Sequence, residues 1–429
     1  MPMKPSLLLV SLLAVCGSSS AADRPAAVPA PPPALEQELA ALITHGGVAI
    51  SRDGQPQWAY GNGVYVPASV LKLATSLAAL EMLGPDYRFL TEIYRDGTGN
   101  LFVRGYGDPG LVSEEWQAIA QELSALGAFA APVGDIVADE SAFEPELEID
   151  GRGDSLNPYD ARPGALVSNF NTVQVLVERG GRVGPGEPQT PLTPLAREEA
   201  RGLPAGLHRL NLSRRPGMGA RYTAELAAAI FAEAGARIQG RVRVGAVPPG
   251  AELLLAHRST HGVRDAVRGM LEFSNNVVAN QLLLTLALER HGAPARLEDG
   301  VAILRDFLAA RVGLARRDFL LVEGSGLSRS NRIGLLAMVR IVDAFYPWRD
   351  LLPSHGSGGV FAKTGTLVGV SSLAGFLPAP EGSRRAFAIL LNQPKNTRDA
   401  VLKSVLRGME EEALPAAAVG ETSAQTLVK

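Results

Sequence analysis

Apolar positions along this chain change their spacing several times, and each change marks an element. Leu71, Leu73, Ala74, Leu77 and Leu80 recur at helical intervals, Pro67 suits a first turn, and Gly84-Pro85 supplies a cap and a stop. This predicts a mostly apolar helix with Ser69 near its N-terminus. Val277, Val278, Leu282, Leu283 and Leu286 predict another, opened by Ser274-Asn275-Asn276. His45 to Ser51 and Gln57 to Tyr60 read as a hairpin leading into the first helix, and Leu367 to Phe376 reads as strand, turn and strand. Gly324-Ser325-Gly326-Leu327-Ser328-Arg329 is a loop between two helical regions.

The stretch from Tyr87 to Leu254 has a different texture. Short alternating runs such as Leu101-Phe102-Val103-Arg104 and Val173 to Glu178, with glycine and proline between them, predict mostly β structure. One amphipathic helix, Tyr222 to Ala234, and a strand at Arg241 to Val244 interrupt it. Residues 87–254 therefore read as an insertion of one or more accessory domains into a discontinuous domain made of residues 35–86 and 255–414. Residues 23–34 are an Ala/Pro-rich spacer and 415–429 a loose tail.

The first residues set the expected compartment. Met1 to Lys4 is short and basic, Leu7 to Val15 is apolar, and Ser20-Ala21-Ala22 is a small-residue cleavage site, the pattern of a signal peptide over residues 1–22. That apolar run is too short to span a bilayer. The single cysteine, Cys16, lies within it, so the mature chain holds no disulfide; lipidation at Cys16 is the disfavoured alternative, because Val15 is bulky for the preceding position. The expectation is export to the periplasm, with peripheral membrane association left open. With 429 residues and 46% hydrophobic content the chain can fill two or three cores, and a net charge of −3 argues against a nucleic-acid-binding face.

Within this frame three short motifs carry chemistry. Ser69-Val70-Leu71-Lys72 places a hydroxyl and an amine one helical turn apart, so that the lysine can take the serine's proton, while the helix N-terminus favours developing negative charge. Ser274-Asn275-Asn276 lies 205 positions further on, and Lys363-Thr364-Gly365-Thr366 another 89. The pair His257 and His261 has one spacing compatible with metal ligation, but no acidic cluster accompanies it, and His257 reads as a structural hydrogen-bonding group. No Gly-x-Ser-x-Gly elbow is present, which disfavours an α/β-hydrolase.

Ser-x-x-Lys, Ser-x-Asn and Lys-Thr-Gly, in this order, are the set used by penicillin-binding proteins and serine β-lactamases. With Gly105-Tyr106-Gly107-Asp108-Pro109, Asp139 to Phe143, Asn169-Phe170-Asn171, His257-Arg258-Ser259 and Gly324 to Arg329, and with the long insertion, the chain resembles the class C low-molecular-mass penicillin-binding proteins, the D-alanyl-D-alanine carboxypeptidase/endopeptidases, over nearly its whole mature length. The resemblance implies an α/β fold of the serine β-lactamase/DD-peptidase type, an antiparallel sheet flanked by helices, with inserted mainly-β accessory domains. It also implies peptidoglycan stem peptides as substrates and β-lactams as covalent inhibitors. The chain departs from the family at Ile149 to Tyr159, where a Trp-x-Trp-x-Asp-like segment is usual; the tryptophans are absent and Asp154 is the nearest match to the aspartate at the rim of the site.

The residue types then suggest roles. Ser69 is the expected nucleophile, Lys72 its base, Ser274 a proton relay to the leaving amine, and Asn276 a support for Lys72 or the substrate amide. Lys363, Thr364 and Thr366 are expected to bind the terminal carboxylate, with Gly365 between them and the N–H groups of Ser69 and Thr366 as oxyanion donors. This chemistry requires neither a metal nor an organic cofactor. Two other readings stay open at this stage: a β-lactamase or esterase of the same fold, which must deacylate fast, and a non-catalytic peptidoglycan-binding envelope protein, which must show no turnover.

Overall fold

The computed structural model describes residues 28–145 and 147–413. The expected signal peptide with Cys16, the beginning of the spacer and the tail 415–429 lie outside the described residues. The spacer ends earlier than expected, because the helix Pro33–Leu42 starts with a proline in its first turn and buries Leu35 and Leu39.

Five antiparallel strands form the main sheet, in the order Phe361–Leu367, Val370–Leu377, Arg385–Leu391, Gly46–Arg52 and Gln55–Tyr60. Alternation along these strands feeds two separate cores. Val48, Ile50, Leu373, Ile389 and Leu391 face the terminal helices Pro33–Leu42 and Arg398–Ala413. Ala49, Ala374, Ala386 and Ala388 face the other way, and their small side chains let the helix Leu335–Ala344 and a helical layer pack closely. At the centre of that layer the helix Lys72–Met82 is buried from Lys72 through Leu80, which explains why its sequence has no polar face. The helices Val263–Phe273, Asn276–His291 and Leu297–Arg311 surround it.

The insertion has its own core and two sheets. One is mixed and five-stranded, in the order Val242–Val244, Ile136–Asp139, Leu101–Gly105, Arg88–Arg95 and Glu252–Gly262; the other is Val183–Pro185, Thr172–Val177 and Gly206–Asn211. Eight strands thus supply the β framework among the described residues. Helices contribute more than the alternating runs suggested. Ser113–Ala125 buries Trp116, Ile119, Ala120 and Leu123 at helical spacing, and Met218–Glu233 extends the expected helix by one turn towards the N-terminus. The expected boundary at residue 254 falls inside the strand Glu252–Gly262, whose pairing with Arg88–Arg95 carries the insertion's sheet on to Gly262.

His257 lies in that strand. Both its ring nitrogens are taken, by Glu115 and Glu122 at 2.8 Å each, so it ties the helix Ser113–Ala125 to the sheet. Burial opposes its charge, but its hydrogen bonds to the two carboxylates outweigh this and raise its pKa. His261 is exposed beside it.

Candidate active site

The turn that carries Ser69 is tighter than the sequence suggests. Ala68–Leu71 forms a 3₁₀ turn that runs directly into the helix Lys72–Met82, with Ala68 held at φ 49°. Ser69 is therefore partly exposed while the residues on either side of it are buried. Two glycines allow the surrounding backbone to close on this turn. A Cβ on Gly326, itself at φ 81°, would lie 1.9 Å from the Ala68 carbonyl oxygen, and one on Gly365 would lie 2.9 Å from the Ser69 nitrogen. The loop after Gly324 and the Lys363-Thr364-Gly365-Thr366 segment thereby flank the serine. That segment lies within the strand Phe361–Leu367, not ahead of it as the sequence suggested.

Lys72 is 0% exposed and its Nζ has three partners: Ser69 Oγ at 3.1 Å, Asn276 Oδ1 at 2.7 Å and the Ser325 carbonyl at 2.8 Å. The Asn276 amide is oriented by donating from Nδ2 to the Tyr159 carbonyl at 3.1 Å. Asn275 caps the helix Asn276–His291, accepting from the N–H groups of Val277 and Val278. Ser274 occupies the joint between two helices at φ 56°, and no hydrogen bond links its hydroxyl to Lys72 or Ser69. Burial pushes the Lys72 pKa down to about 7, helped by the Lys363 charge and opposed by Glu323.

Lys363 is 2% exposed and donates to the Thr364 carbonyl at 2.9 Å. Burial lowers its pKa to about 8, with Arg398 adding to the effect and Glu272 opposing it. Strand alternation turns Thr364 and Thr366 to the face opposite Lys363. On that side Arg398 Nη1 lies 3.5 Å from Thr366 Oγ1 and 3.3 Å from the Ser372 carbonyl. Asp154 is 77% exposed and ion-paired with Arg152 at 2.8 Å, whereas Asp150 accepts from Ser328 in the loop beside Ser69.

Glu323 escaped the sequence reading. Its carboxylate is 0% exposed and accepts six hydrogen bonds, from the N–H groups of Ser325, Gly326 and Ser328, the Ser325 hydroxyl, and the amides of Asn280 and Asn331. These bonds fix the loop whose Ser325 carbonyl holds Lys72. The available signal was a lone acid closing the apolar run Leu320-Leu321-Val322 just before Gly-Ser-Gly, where free N–H donors cluster. Glu323→Gln replaces one acceptor oxygen with a donor that faces donors. We expect a loss of about 3 kcal/mol of stability, read as a lower denaturation midpoint. Removing the negative charge also destabilises protonated Lys72, so the acid limb of the acylation rate moves to lower pH; an unmoved limb would contradict the electrostatic assignment.

The profile of the D-Ala-D-Ala carboxypeptidase 3 (S13) family matches residues 27–201, 200–352 and 349–411. A D-alanyl-D-alanine carboxypeptidase of Actinomadura sp. (strain R39) is 29% identical over 444 residues, covering 84% of this chain and 79% of the relative. The D-alanyl-D-alanine carboxypeptidase DacB of Haemophilus influenzae is 25% identical over 396 residues, covering 77% and 81%. The crystal structure of penicillin binding protein 4 (dacB) from Haemophilus influenzae superposes with a TM-score of 0.69 at 22% identity over 88% of this chain and 98% of the other, which shows a shared fold. With Ser69 and Asn276 both bonded to one buried lysine, with Gly365 of the third motif packed against Ser69, and with profile matches spanning nearly all the described residues, the chain belongs to the D-Ala-D-Ala carboxypeptidase 3 (S13) family of serine peptidases.

Proposed function

We propose that Ser69 is the nucleophile and neutral Lys72 the base of a D-Ala-D-Ala carboxypeptidase/endopeptidase acting on peptidoglycan stem peptides. The set of partners around Lys72 Nζ carries this reading. Asn276 Oδ1 and the Ser325 carbonyl can only accept, whereas Ser69 Oγ, which accepts from Nζ at 3.1 Å, can turn its own O–H towards Nζ once the amine is neutral. A neutral amine has two N–H groups for the two acceptors and one lone pair left for the Ser69 O–H. Burial and the Lys363 charge hold a large share of Lys72 in that form near neutrality.

As Ser69 Oγ bonds to the scissile carbonyl carbon, its proton passes to Lys72 Nζ. The oxyanion is taken by the N–H groups of Ser69 and Thr366, each such donor being worth roughly 3 kcal/mol. Ser274 relays the proton to the departing amine as the C–N bond breaks, leaving the acyl group on Ser69. Water, deprotonated by Lys72, then breaks the ester and restores the serine. Lys363 receives the substrate's terminal carboxylate, Gly365 provides close approach, and Asp154 at the rim meets the ammonium of the stem peptide; Thr364 and Thr366, on the strand's other face, are set aside as carboxylate ligands. A β-lactam enters as an amide mimic and stays on Ser69. The N-terminal leader pattern supports export to the periplasm; among the described residues no helix is long and apolar enough to cross a membrane.

The test is release of D-alanine from a synthetic stem pentapeptide, followed against pH. Lys72 must be unprotonated and Lys363 protonated, so kcat/KM should rise through about pH 7 and fall above about pH 8. Lys363→Gln removes the cation that depresses Lys72, so the rising limb shifts to higher pH. A wild-type profile flat from pH 6 to 9, or no release of D-alanine at all, would overturn the assignment.

A further inference from the structure

A cavity of about 640 Å³ lies mainly within the insertion, and none of Ser69, Lys72, Ser274, Asn276 and Lys363 lines it. It sits outside the carboxyl ends of two parallel strands, Ile136–Asp139 and Val242–Val244, where Glu140 and Ala246 belong to one wall. Ligands of α/β sheets bind at this end of the strands, because the loops that follow can shape a crevice there. The approach to the helix Met218–Glu233 forms a second wall with Arg215 and Pro216. Arg162, Gly164 and Asn171 form a third. That third wall is also the partition towards the Ser69 cleft: Gly164 donates to Gln281 on the helix Asn276–His291, and the Tyr159 carbonyl just before it holds Asn276.

The protein matches the polar groups of this cavity only in part. Arg162 and Asn171 are 9% and 2% exposed, and the Asn171 amide is fixed by donating to the Arg162 carbonyl at 2.9 Å. Among the described residues, however, Arg162 Nε and Asn171 Oδ1 have no partner, and one is a donor while the other is an acceptor. Gly219 makes room for this arrangement, since a Cβ there would lie 2.8 Å from the Asn171 amide. Charge is nearly balanced. Asp139 stands 3.8 Å from Arg104, Glu144 3.6 Å from Arg296, and Arg162 pairs with Glu148 at 2.9 Å. Glu140 and Arg215, of opposite sign, are the lining charges left without an ion pair among the described residues. Burial pushes the Glu140 carboxyl up to about 7, so near neutrality it can donate as well as accept. A strongly charged ligand gains little in such surroundings. Phe143, Pro163, Pro216 and Pro294 add apolar surface, and the prolines have no N–H with which an extended peptide could pair.

We infer that this cavity binds a neutral saccharide. Hydroxyl and acetamido groups both donate and accept, so one ligand can serve Arg162, Asn171 and Glu140 together, while the C–H faces of its rings lie against phenylalanine and proline. The volume suits about two sugar rings, within the range of small-molecule pockets. The source of the saccharide rests on the function proposed above: it is the glycan strand of the polymer whose stem peptides reach Ser69. Holding the strand on the insertion raises the effective concentration of stem peptides at the neighbouring cleft.

Isothermal calorimetry with chitobiose, an uncharged dimer of N-acetylglucosamine, tests the site in the full chain. Wild type should bind it, and Ala246→Trp, which brings a large ring into the cavity from an exposed position, should weaken binding roughly tenfold or more. Arg215→Ala, also at an exposed position, should weaken it several-fold. Both variants should keep the wild-type denaturation midpoint. Their D-alanine release from a soluble pentapeptide should stay within about twofold of wild type, while release from intact peptidoglycan falls roughly fivefold. No binding by wild type, or equal binding by wild type and Ala246→Trp, would overturn the site. Displacement of chitobiose by the pentapeptide in Ser69→Ala protein would assign the cavity to peptide and overturn it as well. Chitobiose binding by a wild type that neither releases D-alanine nor forms a penicilloyl adduct would support the saccharide site and overturn only the reading of Ser69.

Discussion

Ser69→Ala forms no penicilloyl adduct and loses roughly four orders of magnitude or more in D-alanine release, because no other oxygen can carry the acyl group. The fold survives. The Ser69 hydroxyl is partly exposed, and its one side-chain hydrogen bond is with Lys72 Nζ, which keeps Asn276 and Ser325 as partners. The loss in stability is therefore on the order of 1 kcal/mol. Intact mass after incubation with a fluorescent penicillin reads the result. A stable adduct on wild type alone fixes the nucleophile and excludes a β-lactamase, which would release the drug. An adduct on Ser69→Ala as well would move the nucleophile elsewhere.

Lys72→Met has the second largest effect. A positioned general base contributes roughly 10²–10⁴-fold, so acylation slows by about that factor although Ser69 is intact. Methionine suits a 0% exposed position between apolar neighbours, and removing a buried amine also removes its desolvation penalty. Two acceptors, Asn276 Oδ1 and the Ser325 carbonyl, lose a donor, which limits the gain. Lys72→Arg separates charge from basicity. A guanidinium keeps the positive charge but cannot act as a base at any accessible pH. Both variants should be slow; rapid acylation of Lys72→Arg would mean that Lys72 acts through its charge alone. Stopped-flow acylation rates, with denaturation midpoints as the control for folding, decide the matter.

The three motifs and the family were legible from sequence because each motif rests on local relations. Ser69 and Lys72 share one helical turn, so spacing alone puts that pair on a common face, while Ser274 to Asn276 occupy a single helix joint and Lys363 to Thr366 are consecutive along one strand. The main hairpin, the two apolar helices and the existence of an insertion follow from periodicity and from the 205 residues between the first two motifs. The helix Ser113–Ala125 was also written in the chain, as Trp116, Ile119, Ala120 and Leu123, but it sits among alternating runs that favoured a β reading. His257 was rightly read as a hydrogen-bonding group, although its partners Glu115 and Glu122 lie 142 and 135 positions away.

Only the tertiary structure decided what surrounds those groups. The Lys72 pKa is lowered because the side chain is buried and stands near Lys363, and burial is a property of the packed helical layer, not of the four residues of the motif. Glu323 gathers six donors from its own loop, from Asn331 and from Asn280 on a helix 43 positions away, and Arg398 reaches the Lys363 strand from the last helix. The cavity lined by Glu140, Arg162 and Arg215 exists because separate segments of the insertion meet at the ends of two strands. Periodicity and motif spacing encode which side of an element is apolar and which groups are neighbours within a turn. Desolvation, charge proximity and enclosed volume depend on atoms distant in sequence, and those are fixed only when the cores close.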